Sequence, residues 1–353
     1  MNWFGNNLKI SVFGESHGAA VGCTIDGLPA GFIPNLSCVD FELARRAPSR
    51  GAESTKRNES NEYEILSGLY NGVCTGSSLA AVFRCTDARG SDYEHIPPRP
   101  SHADLAASVK YSGFNDPRGG GMFSGRLTVP IVFAGALCKQ LLSKHGIRIA
   151  SHILRIGSVA DSSFDPVMLE LPQLDPFFPL INEEKRTIIE EVFAEIRAAG
   201  DSIGGSVECA VLGLPIGVGS PFFNGLESVL SHLLFSIPGV HGVEFGAGFD
   251  FASVKGSEAN DAILPNLKTL TNNSGGINGG ISNGMPVIFR AAFRPVPSIS
   301  IPQRSVDPVT DKEVILELRG RHDCCILPRG CAVIEAAAAI AILDQLLDHE
   351  VEV

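Results

Sequence analysis

The sequence predicts an α+β fold in which a layer of buried helices lies between β-sheets. Two segments, GRLTVPIVFAGALCKQLL and GCAVIEAAAAIAILDQLL, are apolar nearly all round, which is typical of helices buried inside a protein. Short alternating runs rich in β-branched residues predict strands. Strands precede helices in two successive rounds along the chain, an order that favours layered α+β architectures.

The first round begins with strand-like runs and continues with two helical patterns. Its strands are expected at Lys9–Phe13, Val21–Ile25, Glu64–Leu69 and Leu79–Arg84, and its helices at Ala103–Tyr111 and Ser124–His145. The second round repeats this order. Its strands are expected near Ile147–Ile156, Ser206–Gly213, Val243–Gly246 and Val287–Phe293, and its helices at Asn182–Ala199, Leu226–Ser236 and Arg329–Leu347.

Domain organisation follows from what separates these elements. The helix expected at Asn182–Ala199 has one apolar stripe and a charged back, so it should face water. No residue-level repeat is evident, and no Pro/Ser-rich linker divides the chain. We therefore expect residues 1–353 to form a single domain.

The charge and composition of the chain argue against several classes of binding partner. The net charge of −11 argues against nucleic acid and anionic membrane surfaces. No signal peptide is recognisable, and no uninterrupted apolar run has the length of a membrane span, so a cytoplasmic protein is expected. Nine cysteines without a C-x-x-C pair indicate buried thiols in a reducing compartment, and the histidines lack metal-ligand spacing. The 44% hydrophobic content is high, and burial between subunits would absorb part of it.

The string GESHG, residues 14–18, matches the G-x-S-x-G nucleophile elbow of serine hydrolases. An elbow needs a strand before the serine and a helix directly after it. The strand is plausible, but the following AAVGCTIDGLPAGFIP predicts a turn and a second strand. The match is therefore interpreted as coincidental, and His17 becomes the more interesting residue.

Several arginines lie in a polar segment or beside turn glycines, although the protein as a whole is acidic. Arg45, Arg46, Arg50 and Arg57 lie in a polar segment, Arg45–Asn61, which is expected to be a mobile basic loop. Arginine forks match carboxylates and phosphates, so the loop indicates an anionic ligand, although a solvated charged loop is an equal alternative. Further arginines stand beside turn glycines: Arg118, Arg126, Arg294, Arg304, Arg321 and Arg329.

Two glycine-rich turns, DPRGGGMFSGR and NNSGGINGGISNG, could present backbone N–H groups to a phosphate. Neither is a Walker A loop, and no G-x-G-x-x-G connects a strand to a helix, so nucleotide binding by those folds is not supported. Tight turns without a ligand are the alternative.

Three histidines have neighbours suited to proton transfer. His17 lies in GESHG, His102 in RPSHAD, and His322 beside Asp323 in RHDCC. A lone histidine is more often structural, but a histidine beside a turn with adjacent Arg or Ser is well suited to acid–base work near neutral pH.

Taken together, these motifs resemble the three signatures of the chorismate synthase family. FGESHG…VGCTIDGLP, RPSHAD…KY…DPRGGGMFSGR and GRHDCC…IEAA occur in that order, and GDSIGG, GVEFGAGFD, NNSGGINGGIS and SISIPQR also fit. The resemblance covers almost the whole chain and suggests a divergent, bacterial-type member. It implies a β-α-β sandwich, with helices between two antiparallel sheets, assembled as a homotetramer.

The resemblance also implies an activity. The family converts 5-enolpyruvylshikimate 3-phosphate into chorismate and phosphate, the last common step of the shikimate pathway. The reaction is an anti-1,4-elimination by a carbon–oxygen lyase that needs reduced FMN without net redox change. Absence of a dinucleotide fingerprint implies that a separate source supplies the reduced flavin, rather than NADPH used by this chain.

Individual roles carry over by position. His17 corresponds to the acid that protonates the departing phosphate, His102 to the residue that protonates or stabilises reduced flavin, and Asp323 to the acid that removes the substrate proton. Substrate contacts are expected from Ser16, Arg46, Arg50, Arg118, Arg126 and Arg321. FMN contacts are expected from Met122, Phe123, Ser124, Pro238, Gly239, Gly279, Arg294, Pro295, Val296, Pro297, Ser298 and Arg321. No metal ligand is expected.

The chain departs from the family pattern at a few positions. Ala47 stands where other members often have a third arginine, Ser101 where they have glycine, and Met122 where some have arginine. Two other interpretations compete with this one. One is a flavin oxidoreductase that uses NAD(P)H itself, which the missing fingerprint disfavours. The other is a non-catalytic paralogue that binds a phosphate ligand, which the joint presence of His17, His102 and Asp323 disfavours.

Overall fold

The structure is a computed structural model that describes residues 2–48, 61–85, 96–318 and 323–352, the last four of these by their backbone alone. Two five-stranded antiparallel sheets enclose a layer of helices. The helices are α1 (Leu36–Arg46), α2 (Asp104–Lys110), α3 (Thr128–Lys144), α4 (Lys185–Ala198), α5 (Leu226–Leu234), α6 (Gly256–Ala259) and α7 (Leu327–Glu352).

The first sheet is built from strands near the start of the chain, in the order β1-β2-β3-β7-β4. Its strands are β1 (Trp3–Phe4), β2 (Lys9–Gly14), β3 (Ala20–Asp26), β4 (Glu64–Ser67) and β7 (Leu79–Arg84). In the chain, a small hairpin of β5 (Leu69–Tyr70) and β6 (Val73–Cys74) lies between β4 and β7. In β3, Val21, Cys23 and Ile25 are buried, as the alternating pattern predicts.

The second sheet has the order β11-β14-β10-β8-β9, also antiparallel throughout. Its strands are β8 (Arg148–Ile156), β9 (Val159–Ala160), β10 (Gly205–Leu212), β11 (Val240–Phe245) and β14 (Val287–Phe293). Two hairpins lie outside it: β12 (Ile277–Asn278) with β13 (Ile281–Ser282), and β15 (Gln303–Asp307) with β16 (Lys312–Leu316).

Helices α3 and α7 fill the space between the sheets. Helix α3 packs on β2, β3 and β7, while α7 packs on β8 and β10, and the two helices pack on each other. A Cβ atom on Gly135 would lie 2.4 Å from Cα of Ala336, so the missing side chain is what lets the helices approach so closely. The predicted sandwich, a buried helical layer between two antiparallel sheets, is confirmed.

These two helices correct one expectation from the sequence. Residues Gly125–Lys144 and Leu327–Asp348 are long and apolar enough to cross a membrane by length and composition, although no such span was expected. In the fold, 78% and 94% of these windows are buried against protein, as in the core helices of globular proteins. Their apolar surface is therefore already covered by the two sheets and by each other.

The segment before β2 is anchored to helix α7, near the other end of the chain. The carboxylate of Asp344 on α7 accepts hydrogen bonds from the backbone N–H groups of Asn6, Asn7 and Leu8, at 2.7 to 3.1 Å. Seven of the nine cysteines are buried, so they act as small apolar residues, as expected. Burial raises the pKa of the Cys23 thiol to about 12.

Helix α1 was not predicted. It begins after Asn35, whose side chain accepts from the backbone N–H groups of Ser37 and Cys38, and it continues to Arg46. The predicted mobile loop at Arg45–Asn61 is therefore wrong for its first two residues, which are helical. Residues 49–60, including Arg50 and Arg57, lie outside the described part of the chain.

Candidate active site

The centre of the site is a glycine turn, residues 118–123, which lies between α2 and α3 in the chain. Its three glycines have φ angles of 61°, 95° and 52°, values that favour glycine over other residues. A Cβ on Gly119 would lie 2.1 Å from Cε1 of His17, and a Cβ on Gly120 would lie 3.1 Å from Cε1 of His102. The glycines therefore allow two imidazoles to pack directly against one stretch of backbone.

His17 reaches this turn from the end of β2. The backbone N–H of Ser16 donates to the carbonyl of Gly121 at 3.2 Å, and Ser16 Oγ lies 3.0 Å from Nδ1 of His17. His17 is 6% exposed and lies behind Gly119. Ser16 is 1% exposed and is followed by β3 instead of a helix, so the nucleophile elbow is absent.

His102 is bonded on its Nδ1 side. Nδ1 lies 2.6 Å from Oδ1 of Asp104, and the guanidinium of Arg99 donates to both carboxylate oxygens of Asp104 at 2.7 and 2.8 Å. Arg99 also donates to Oγ of Ser298 at 3.1 Å. Burial alone would raise the pKa of Asp104, but the bonds from Arg99 and His102 outweigh it and hold that pKa well below its usual range.

A cavity of about 680 Å³ opens beside the glycine turn, a volume typical of small-molecule sites. Its described wall includes a set of arginines and one carboxylate: Arg46, Arg99, Arg126, Arg294, Arg329 and Asp323. Five guanidinium groups against one carboxylate give the cavity an excess of positive charge within a protein of net charge −11. Such a cavity is suited to anionic ligands.

Arg46 enters the cavity from the last turn of α1. It is 5% exposed, its Nε donates to Oγ1 of Thr128 at 3.1 Å, and its Nη2 donates to the carbonyl of Gly125 at 2.9 Å. The hydroxyl of Thr128 donates in turn to Gly125 at 2.6 Å. The start of α3 thus fixes the Arg46 side chain, which a mobile loop could not do.

Two other arginines predicted as ligand contacts also reach the cavity. Arg126 is buried, and its backbone N–H donates to Oγ of Ser124 at 3.3 Å. Arg294 follows β14 and donates to the carbonyl of Ser101 at 2.7 Å. Ser101 itself has a φ of 60°, which explains why a glycine suits this position better.

A second wall of the cavity is apolar. It comes from the end of α5, the segment after β14 and the start of α7: Phe235, Ile237, Pro238, Gly239, Val240, Phe293, Pro295, Val296, Pro297, Ile326 and Val333. Met122 and Phe123 extend it from the glycine turn, and Ser298 adds a hydroxyl. A flat ring system with an anionic tail fits a cavity that combines this wall with arginines.

Asp323 and Arg329 stand together on the α7 side of the cavity, where Arg329 donates to the Asp323 carboxylate. The ion pair fixes the position of the carboxylate while leaving both residues in the cavity wall. Asp323 therefore faces the same space as His102 and Arg46, although these residues are far apart in sequence.

Not every predicted contact reaches this wall. Arg118 turns away, is 42% exposed and pairs with Asp116 at 2.7 Å. Ser16 is buried behind the turn. Gly279 lies between β12 and β13 and does not line the cavity. Arg321 and His322 lie outside the described residues. His17, predicted as the acid for the phosphate, lies against Gly119 but does not itself line the cavity, and neither do Arg118, Ser16 or Gly279.

Sequence analysis missed Arg99 and Asp104, although both flank His102 in the string RPSHAD. The signal was an arginine three residues before the histidine and a carboxylate two residues after it. Phe235, Ile237 and Ile326 gave no signal, because an apolar wall residue looks like any other core residue.

Comparison with known proteins decides the family. The family model described as chorismate synthase matches residues 8–347. The chain belongs to the chorismate synthase family. Chorismate synthase of Thermococcus gammatolerans is 46% identical over 97% of both chains, and that of Dehalococcoides mccartyi strain BAV1 is 40% identical over 98% of this chain and 96% of its own. The narrower assignment to a bacterial-type branch stays a prediction.

A solved structure agrees with the fold as well. A crystal structure of chorismate synthase superposes with a TM-score of 0.75 and 27% identity, covering 98% of this chain and 93% of its own. The match over nearly the full length includes both sheets and the helical layer.

Proposed function

We propose that the arginine-lined cavity is the active site of a chorismate synthase that works with reduced FMN. As a member of this family, the chain is a carbon–oxygen lyase that converts 5-enolpyruvylshikimate 3-phosphate into chorismate and phosphate. The observation that carries the assignment of the site is the convergence of five arginines, His102 and Asp323 on one cavity. The substrate brings two carboxylates and a phosphate, which this excess of positive charge matches.

The residues fit FMN. The apolar wall offers a surface for the flavin ring, and Arg294 with Ser298 offers donors for its phosphate. The contacts we assign are Met122, Phe123, Ser124, Pro238, Gly239, Arg294, Pro295, Val296, Pro297 and Ser298. When bound, the reduced flavin would supply electron density to the allylic centre that loses phosphate.

Protein residues provide the proton transfers and the charge. We assign Asp323 as the group that accepts the substrate proton at its carboxylate, with Arg329 holding that carboxylate in place. Arg46 and Arg126 stabilise the negative charge that develops on the departing phosphate. We assign His17 as the acid that protonates the departing phosphate, and its ring lies against Gly119, which lines the cavity.

The test is an anaerobic assay with photoreduced FMN and 5-enolpyruvylshikimate 3-phosphate. Chorismate absorbance and phosphate release should rise together in a 1:1 ratio, because both products come from one elimination. Phosphate release without chorismate would instead show a phosphatase and contradict the proposal. Oxidised FMN with NADPH alone should give little product, since we propose a separate source of reduced flavin; robust turnover under those conditions would overturn that part.

We also propose that the enzyme is a cytoplasmic homotetramer without nucleic-acid or membrane partners. Several phenylalanines are exposed on the single chain, among them Phe222 at 86%, Phe223 at 93% and Phe249 at 82%. Large exposed aromatics of this kind support burial in a subunit interface. Sedimentation should give four times the mass of one chain, and Phe223→Asp should lower that mass; a monomer at assay concentration would contradict the assembly.

A further inference from the structure

The hydrogen bonds around His102 differ on its two ring nitrogens. Nδ1 faces the Asp104 carboxylate at 2.6 Å, and Nη2 of Arg99 lies farther from the same nitrogen, at 3.1 Å, whereas the Nε2 and Cε1 edge lies over Gly120 at the cavity wall. An ionised carboxylate can only accept hydrogen bonds. The hydrogen of this short contact therefore belongs to Nδ1, and in the neutral ring Nε2 carries the lone pair.

Asp104 is in turn held by Arg99. The guanidinium donates to both carboxylate oxygens, and the backbone N–H of Arg99 donates to Oδ2 at 3.1 Å. Arg99 is buried, and its remaining arm donates to Ser298 beyond β14. Two-point contacts of this kind fix direction as well as distance, so the carboxylate has little freedom to rotate away from His102.

We propose that Asp104 is a positioning residue for the reaction: it holds His102 with hydrogen on Nδ1 and with Nε2 as the nitrogen that takes up and returns a proton at the cavity, while Arg99 fixes Asp104. The inference rests on the proposed function of the cavity. Proton uptake at Nε2 yields an imidazolium whose positive charge Asp104 stabilises, and release from Nε2 restores the neutral ring.

Replacing the carboxylate by an amide reverses this arrangement. Asparagine at position 104 can offer an N–H group to the imidazole, which a carboxylate cannot do. His102 would then accept at Nδ1 and carry its hydrogen on Nε2, so the lone pair would no longer face the cavity. The substitution Asp104→Asn preserves size and therefore tests the tautomer more than the packing.

The first measurement is ¹⁵N NMR of histidine-labelled protein without flavin, with the His102 signals assigned through His102→Gln. In the wild type, the neutral ring should show hydrogen on Nδ1, and Asp104→Asn should move it to Nε2. Asp175→Asn removes another carboxylate paired with an arginine, Arg186, and should leave the His102 signals unchanged. Hydrogen on Nε2 in the wild type would overturn the proposal without any variant having to fold.

The second measurement is steady-state kinetics with reduced FMN. Asp104→Asn should lower kcat by roughly 10- to 100-fold with little change in KM, the size of effect seen when the hydrogen-bond partner of a metal-ligating histidine is removed. Asp104→Glu keeps the carboxylate and should recover the Nδ1 tautomer and part of kcat. If Asp104→Asn and Asp104→Glu lost the same fraction of kcat while both kept the hydrogen on Nδ1, Asp104 would have only a structural role. Failure of the wild type to form chorismate would instead refute the proposed function, and the NMR result would still stand.

Discussion

Arg45 and Arg46 are neighbours at the end of α1, yet their side chains do different things. Arg45 points into the helical layer, where it makes two hydrogen bonds to the Glu335 carboxylate at 2.6 and 2.8 Å. Lys139 and Glu42 complete this group, which balances two cations with two carboxylates. Arg46 points toward the cavity, and two of its bonds go to a hydroxyl and a carbonyl at the start of α3.

The contrast shows how to tell a structural arginine from a ligand-binding one when both are buried. Around Glu335 the charges cancel inside the protein, so no anion is required from outside. The described wall of the cavity holds more arginines than carboxylates, an arrangement suited to an anionic ligand. We therefore expect changes near Glu335 to alter stability, and changes in the cavity wall to alter turnover.

The largest effect tests the cavity side of this comparison. His17→Ala and His102→Ala should each lower the rate by roughly 10²- to 10⁴-fold, because each removes a group that transfers or stabilises a proton. The measurement is kcat with reduced FMN, with thermal unfolding as the control. Unfolding temperatures well below that of the wild type would contradict a purely catalytic effect.

The two histidine variants should also differ from each other. His17→Ala should leave the spectrum of bound reduced FMN unchanged, since its expected partner is the phosphate. His102→Ala should alter that spectrum, since we place the residue beside the flavin. Ser16→Ala is the remaining control: a trapped covalent intermediate on Ser16, with His17→Ala still active, would reopen the hydrolase interpretation.

The next effect tests the structural side. Glu335→Gln should lower the free energy of unfolding by about 3–5 kcal/mol, because it removes the more buried of the two carboxylates that Arg45 and Lys139 share and leaves them only Glu42. Chemical denaturation of the variant and the wild type measures this loss. If Glu335→Gln unfolded like the wild type but lost its turnover, the division between the two regions would be wrong.

A smaller effect separates the neighbouring arginines directly. Arg46→Ala should lower kcat/KM by about 1.5–3 kcal/mol of transition-state stabilisation, the value of a charge-assisted contact. Arg45→Ala should mainly lower stability, and Arg186→Ala, on the exposed side of α4, should change neither quantity much. Unchanged kinetics in Arg46→Ala would remove Arg46 from the site.

The smallest effect is a pH dependence of stability. Burial alone would raise the pKa of Glu335, but Lys139 and Arg45 outweigh it and lower that pKa to about 2. The ordinary value is 4.5, so the stability contributed by the ionised group is fully present above about pH 4.5 and is lost as pH falls toward 2. Acid titration of unfolding should therefore be steeper over this range for the wild type than for Glu335→Gln; equal slopes would contradict the assignment.

Much of the fold was predictable because local patterns are strong in the sheets and in the buried helices. Strands Leu79–Arg84 and Val287–Phe293 have the predicted bounds. Helix α1 was missed because polar and acidic residues interrupt it, although the Asn35 cap and the i, i+4 pair Val39 and Leu43 were available as signals. The β15–β16 hairpin was missed because β15 is mostly polar and β16 begins with two charged residues.

The site was predictable only as a set of residues. Motifs indicated His102, Asp323 and the arginines, and the structure brings most of these together. What the sequence could not provide was the direction of each side chain. Arg118 pairs with Asp116 away from the cavity while adjacent Gly119 lines it, and the side chains of Arg45 and Arg46 bond to different groups. Direction depends on contacts between segments distant in sequence, which local patterns do not contain.

The position of α7 also bears on how the protein is made. This helix follows every strand of the two main sheets in the chain, yet it lies between them and holds the loop at Asn6–Leu8 through Asp344. During synthesis, the strands leave the ribosome first, with their inner faces still uncovered by α7. Helix α3 can cover the first sheet early, but the inner face of the second sheet, on which α7 packs, must be kept from aggregating until residues 327–348 emerge.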